Sequence, residues 1–239
     1  MPNIDPLTYI KTVLAKDFAE RALRRQQATH HDALVITLSR DYGAVGEDIA
    51  RGLSLSLNIP VHDQEVLDLV AKKAKTDKYY FQAHDEQSSS GLSAFLYSLV
   101  SGNAATMQEY RRHLGDALVE LARNDCIIIG RGAHLVLTGP RVFRIRVVGS
   151  KSVCAQRVAL ALNITPADAE LRVAETNHKR NKSVMDMYGE LVERCSLEHA
   201  DLFDLVINTD LIPVNAARDV VLAALRGLGH IPEATGSAL

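Results

Sequence analysis

Residues 33–38 form a short run that is apolar at nearly every position, and they pass directly into the turn Ser39-Arg40-Asp41-Tyr42-Gly43-Ala44-Val45-Gly46. Ile49, Leu53 and Leu57 follow at helical spacing. A strand apolar on both faces must be covered on both, so this strand, glycine-bearing turn and helix read as the opening of a βαβ unit in a parallel sheet. The pattern recurs down the chain. Cys126-Ile127-Ile128-Ile129, residues 141–148 and Asp204-Leu205-Val206-Ile207-Asn208-Thr209 are strand-length and β-rich, and segments of helical period separate them. Ser150 caps one helix, and Thr165-Pro166-Ala167-Asp168 combines a capping hydroxyl, a first-turn proline and an acid at the third position. Pro213 opens a last helix, with Ala217, Val221, Ala224 and Leu225 on one face. Alternation of this kind predicts an α/β fold with helices on both faces, with ligands bound beyond the carboxyl ends of the strands.

Other segments flank this core. Ile10, Leu14 and Phe18 give residues 4–27 the apolar stripe of an amphipathic helix, which we expect to fold back on the core or pair with a second copy as a homodimer. Val66, Leu67 and Val70 mark a helix after Asp63, residues 76–91 read as a polar loop, and two helices follow, the second carrying Met107, Tyr110, Leu114, Ala117 and Leu121. The organisation predicted is an extension at 1–32, a main domain at 33–227 and a flexible tail at 228–239.

Composition narrows the function classes. With 27 Lys and Arg against 29 Asp and Glu the net charge is −2, so a sequence-blind grip on nucleic acid is not expected. No stretch approaches the roughly 18 apolar residues that span a bilayer, and the start lacks an export signal. The three cysteines, Cys126, Cys154 and Cys195, are odd in number and widely spaced, which fits a reducing cytoplasm. Cys195 and His199 are four apart but have no second pair to complete a metal site, and neither a G-x-S-x-G elbow nor an H-E-x-x-H helix occurs.

Three clusters can carry chemistry. The Gly43-x-x-Gly46 turn, between strand and helix, can aim backbone N–H groups and the helix dipole at a phosphate, or it can be a plain tight turn. In Ile129-Gly130-Arg131-Gly132, the arginine at a strand end can grip an oxyanion by two parallel hydrogen bonds, or pair with a surface carboxylate. The basic stretch His178-Lys179-Arg180-Asn181-Lys182 can close over phosphates from a mobile segment, or be a solvated face.

Taken in order and spacing, Ile36-Thr37-Leu38-Ser39-Arg40-Asp41-Tyr42-Gly43, Gly46-x-x-Ile49-Ala50, Ile59-Pro60-x-x-Asp63, Ile128-Ile129-Gly130-Arg131-Gly132 and residues 204–209 resemble the cytidylate kinase-like family. The resemblance implies a three-layer P-loop kinase-type fold: a five-stranded parallel sheet, a helical acceptor-binding insertion near 64–123 and a lid near 176–190. It also implies ATP and Mg²⁺ as cofactors. Ser39, Arg40, Tyr42, Gly43, Ala44, Val45, Gly46, Glu47 and Asp48 would then surround the donor phosphates, with Asp48 at the metal position and Arg157 facing the donor. Asp63, Gly130 and Arg131 would hold the acceptor, and Arg40, Lys179 and Arg180 would act on the transferring group. The activity implied is transfer of the ATP γ-phosphoryl to a nucleoside monophosphate such as CMP or a similar small phosphorylated acceptor.

Two positions depart from this pattern. A standard phosphate loop places lysine and then a hydroxyl after its last glycine, whereas Gly46 is followed by Glu47 and Asp48. Cytidylate kinases carry an acid before the Gly-Arg pair, and Ile129 stands there. Glu47 can turn aside by pairing with Arg51 four residues on, leaving Arg40 to supply the missing charge. Two alternatives follow: a catalytically silent relative that binds a nucleotide or phosphometabolite and acts through a protein partner, and a small-metabolite kinase on the same scaffold.

Overall fold

A computed structural model describes residues 33–76 and 104–233. The expected N-terminal helix, the polar stretch from residue 77, the helix expected just before residue 104 and the end of the tail lie outside the described residues.

The strands are β1 (Val35–Arg40), β2 (Val61–His62), β3 (Cys126–Ile129), β4 (Val142–Val148) and β5 (Leu205–Asn208). They form one sheet in the order β2-β3-β1-β4-β5, and every pairing is parallel. Leu38 is in register with Ile129 on one side and Ile145 on the other. The carboxyl ends of β1, β3 and β4 therefore finish side by side, and the turn after β1 sits between its neighbours.

Helices α1 (Gly46–Leu57), α5 (Lys151–Leu162) and α7 (Val214–Gly227) cover one face. The other face takes α2 (Gln64–Thr76), α3 (Ala104–Leu121), the short α4 (Ala133–Val136) and the end of α6 (Pro166–Tyr188). Period-2 alternation explains the division: Ile36 and Leu38 of β1 enter the first core and Val35 the second. Ile36, Leu38, Ile127, Ile128 and Ile145 are fully buried, and each contributes roughly 1.5–3 kcal/mol relative to exposure. The expected caps form, with Ser150 accepting from the Val153 N–H and Thr165 from the Asp168 N–H. No described helix is long and apolar enough to cross a membrane.

Three features differ from the sequence expectation. The basic stretch 178–182 is not a loop but lies inside α6, which runs unbroken to Tyr188 because Val173, Val184, Met187 and Tyr188 bury one side of it. Residues 228–233 do not leave the body at Gly227: Ile231 packs on the core, and Arg141 Nη2 donates to the His230 carbonyl at 3.0 Å. Helix α4, unforeseen because it has a single turn, packs His134 against β1.

The His134 ring is buried, stacks on Phe203 with centroids 4.7 Å apart, and has Nδ1 3.4 Å from Ser39 Oγ. Burial first, then the charges of Arg144 and Arg146, lower its pKa from 6.5 to about 4. As pH falls the unfolded chain takes up this proton first, so stability present above pH 6.5 is lost toward pH 4. We expect urea midpoints to report a loss of about 2 kcal/mol from this group between pH 7 and pH 5. In His134→Leu that part of the slope should vanish. An unchanged slope would show that other groups set the acid sensitivity.

Candidate active site

The turn after β1 is shaped by its own backbone and clamped from outside. The Asp41 N–H donates to the Val147 carbonyl at 3.0 Å and the Ala44 N–H to the Asp41 carbonyl at 3.3 Å. Gly43 (φ +84°) and Val45 (φ +54°) are both left-handed, and Gly46 begins α1. Gly43 passes so close to α5 that a Cβ there would stand 2.6 Å from the Cys154 carbonyl oxygen. Arg157 Nη1 donates to the Gly43 carbonyl at 3.3 Å and to Thr209 Oγ1 at 3.0 Å, and its Nη2 donates to the Thr209 carbonyl at 2.6 Å. Thr209 Oγ1 lies 3.2 Å from the Ala44 carbonyl and donates to it. Arg157 thus meets the turn through backbone carbonyls and holds its shape. From α6, Asn177 Oδ1 accepts from the Tyr42 N–H at 2.8 Å.

Charged side chains gather over this turn. Glu47 does not pair with Arg51, which bonds Asp48 instead at 2.8 Å, three residues away on the exposed side of α1. The Glu47 carboxylate turns inward, accepts from Arg40 Nε at 2.7 Å and lies 3.8 Å from Arg180 Nη2. Burial alone would raise its pKa, but the charge and hydrogen bond of Arg40, helped by Arg180, hold it below the usual carboxylate value. Arg40 also reaches Asp63, with Nη2 to Oδ2 at 3.4 Å. Arg180 Nη1 donates to the Arg40 carbonyl at 3.0 Å, and its guanidinium lies over the Tyr42 ring, 5.7 Å from the centroid. Burial and the neighbouring Arg40 charge lower the Arg180 pKa to about 10, so it stays charged at neutral pH.

Helical phase sorts the basic stretch. Asn177, Arg180 and Asn181 face the body, where Asn181 Oδ1 accepts from the Leu197 N–H at 2.9 Å. Lys179 points outward to Glu175 at 3.9 Å and Lys182 to Asp186 at 2.7 Å. Of the two expected lid cations, only Arg180 is brought to the turn.

One strand over, Gly130, Arg131 and Gly132 are all left-handed, at φ +74°, +57° and +66°. Glycine is needed at 132 because a Cβ would collide with the Tyr188 ring, while the Tyr188 hydroxyl donates to the Arg131 carbonyl at 3.3 Å. Among the described residues no carboxylate pairs with the Arg131 guanidinium. Its charge acts on buried Tyr110, whose pKa burial raises and Arg131 opposes. Ile129 is buried, so the end of β3 offers no acid.

Sequence reasoning missed Arg146. It lies on β4, is buried and pairs with Asp41 at 2.5 Å beneath the turn, while its Nε donates to the Leu197 carbonyl at 3.2 Å. The partners are 105 residues apart and no local spacing marks them. Asn177 and Thr209 were missed as well. The three-residue interval between Asn177 and Arg180 is the signal that a helix through this stretch offers. A cavity of about 580 Å³ opens between α6 and the ends of β1, β4 and β5, bordered by Arg40, Asp41, Arg146, Asn177 and Arg180. Among the described residues no group of three or more His, Cys, Asp or Glu is placed to hold a metal.

Residues 35–211 match the profile of the cytidylate kinase-like family. The chain belongs to the cytidylate kinase-like family. Its parallel β2-β3-β1-β4-β5 sheet and strand-turn-helix opening give this member a P-loop kinase-type fold. An uncharacterized protein from Eubacterium ventriosum is similar in structure, with a TM-score of 0.60 and 18% identity, over 81% of this chain and 98% of that one. Shikimate kinases from Bacteroides thetaiotaomicron (TM-score 0.42, 13% identity) and Aquifex aeolicus (0.41, 18%) align over 81% and 82% of this chain and 98% of each of theirs. No curated protein matches the chain.

Proposed function

We propose that this family member is a nucleotide-dependent phosphotransferase that moves the γ-phosphoryl group of ATP to a small phosphorylated acceptor, a nucleoside monophosphate such as CMP being the first choice. The observation that carries the reading is the convergence of Arg40, Arg180 and the clamped Gly43–Gly46 turn at the end of β1 with Arg131 one strand away, which pairs with no carboxylate among the described residues. Phosphoryl transfer needs no side-chain nucleophile, only positioning and charge compensation, and both halves of such a site stand here within adjacent strands.

The donor groups present are guanidinium and backbone N–H, which suit phosphate oxygens. Mg²⁺ bound with the nucleotide would neutralise charge on the phosphates. Asp48, paired with Arg51 on the exposed side of α1, does not face the turn, so the ligands of this ion would be phosphate oxygens and water. The turn holds the donor, Arg180 covers the transferring group, and Arg131 holds the acceptor, with Asp63 at that half of the site through its bond to Arg40. Arg157 keeps the turn in shape and Lys179 takes no part. Free, buried Cys126, Cys154 and Cys195 suit the reducing cytoplasm in which we place the protein. The apolar stripe of Ile10, Leu14 and Phe18 favours a homodimer, which sedimentation of the full chain tests.

A second reading has its own support. Glu47 already neutralises Arg40 and approaches Arg180, as in a silent relative that binds without transferring. Incubation with Mg-ATP and a panel of nucleoside monophosphates and small phosphorylated metabolites separates the two. Product from a monophosphate bears out the proposal, and product only from another metabolite makes the protein a small-metabolite kinase. Calorimetric binding of ATP without product supports the silent relative.

A further inference from the structure

Arg40 is fixed at its stem and open at its tip. Nε donates to Glu47 at 2.7 Å and Nη2 to Asp63 at 3.4 Å. Nη1 donates to no acceptor among the described residues and occupies the space above Gly130, 3.0 Å from where a Cβ would stand. Three separate segments enforce this placement: the first turn of α1 brings Glu47, the end of β2 brings Asp63, and the end of β3 leaves room because it carries glycine. The Arg40 side chain is 12% exposed, so its orientation is set by the protein rather than by solvent.

A guanidinium has five donors in one rigid plane, and a carboxylate that takes Nε sets that plane while leaving most of the tip unused. A carboxylate acting only as a plug would lie across Nη1 and Nη2, where a phosphate binds with two parallel bonds. Glu47 does the former. Arg180 completes the arrangement by donating to the Arg40 carbonyl, and two arginines with two carboxylates leave the cluster near neutral without consuming Nη1.

We infer that Glu47 and Asp63 are positioning residues that aim Arg40 across the strand boundary at the Gly130-Arg131 turn, so that the cation at the transfer point comes from β1 and serves the acceptor's phosphate. A standard loop supplies its cation from the helix and to the donor. The substitution at position 47 therefore relocates the charge instead of deleting it, and the acceptor class it fits is a phosphate monoester held between the Arg40 tip and Arg131. This rests on the phosphotransferase reading and adds which half of the site Arg40 serves.

The test has a spectroscopic and a kinetic arm, both on the full chain. In ¹⁵N spectra the Arg40 Nε–H should give an exchange-protected cross-peak, assigned by its disappearance in Arg40→Lys. It should be lost in Glu47→Ala and kept in Glu47→Gln, whose amide oxygen still accepts. Inorganic phosphate should shift that peak in the native protein and bind about 10-fold more weakly to Glu47→Ala. With ATP and CMP, Glu47→Ala should lower kcat about 30-fold while leaving the ATP KM within about 3-fold, and Glu47→Gln should recover most of the loss. A cross-peak indifferent to Glu47→Ala, tighter phosphate binding in that variant, or equal kinetic loss in both Glu47 variants overturns the inference. A native protein that shows the expected spectra and phosphate response but no turnover supports the placement of Arg40 and fails the phosphotransferase reading alone.

Discussion

Arg131→Ala is expected to lower kcat/KM for the phosphorylated acceptor by about 10²–10³-fold, with the ATP affinity unchanged, because two charge-assisted hydrogen bonds worth together about 3–4 kcal/mol are lost. The large effect follows from the state of the side chain. Among the described residues no carboxylate pairs with Arg131, which sits in the left-handed run from Gly130 to Gly132 just past β3. A guanidinium already in an ion pair would give up one partner to gain another, and its removal would cost little. Since the Arg131 side chain makes no hydrogen bond or ion pair among the described residues, thermal stability should barely move. Arg172→Ala, on an exposed face of α6, is the control. Equal effects of the two substitutions on acceptor kinetics would remove Arg131 from the site.

Gly43→Val should destabilise the fold by about 3–5 kcal/mol in urea denaturation and abolish ATP binding as measured by calorimetry. The backbone is left-handed at φ +84°, which strains a β-branched residue, and the added Cβ would meet the Cys154 carbonyl oxygen at 2.6 Å and its Cα at 3.0 Å. Both obstacles are backbone, so no flexible side chain can yield. Relief requires either the turn or the start of α5 to move, and the turn is also where Arg157 and Thr209 attach. Gly43→Ala gives a smaller loss in the same direction should the valine variant fail to fold. Gly227→Ala is the contrast, for nothing lies within 4 Å of a Cβ there and stability should hold. ATP binding retained at full strength in Gly43→Val would dissociate the turn from the nucleotide.

Glu47 shows where reading the chain stops. Helical spacing offers Arg51 as its partner, and Arg51 does form an ion pair, but with Asp48. Residue 48 is on the exposed side of α1, whereas residue 47 faces the end of β1, and that difference follows from how the helix is docked. The same limit applies to Arg146, whose place on β4 was legible but whose burial against Asp41 depends on a loop arriving from elsewhere. The basic stretch 178–182 follows the same rule: which of its cations turns toward the site depends on which side of α6 packs on the body.

The alternation of the long strands with helices, the Ser150 and Thr165 caps, the glycine turns and the family motifs were legible in the sequence, because strand alternation, helical period, capping and positive φ are local demands that a few neighbouring residues satisfy or fail. Tertiary structure alone decided which charges meet: Glu47 with Arg40, Arg40 with Asp63, Arg180 over Tyr42, Arg146 under the turn. Electrostatic pairing depends on distances of a few ångströms between groups many residues apart in the chain, and only the packing of the sheet against its helices sets those distances.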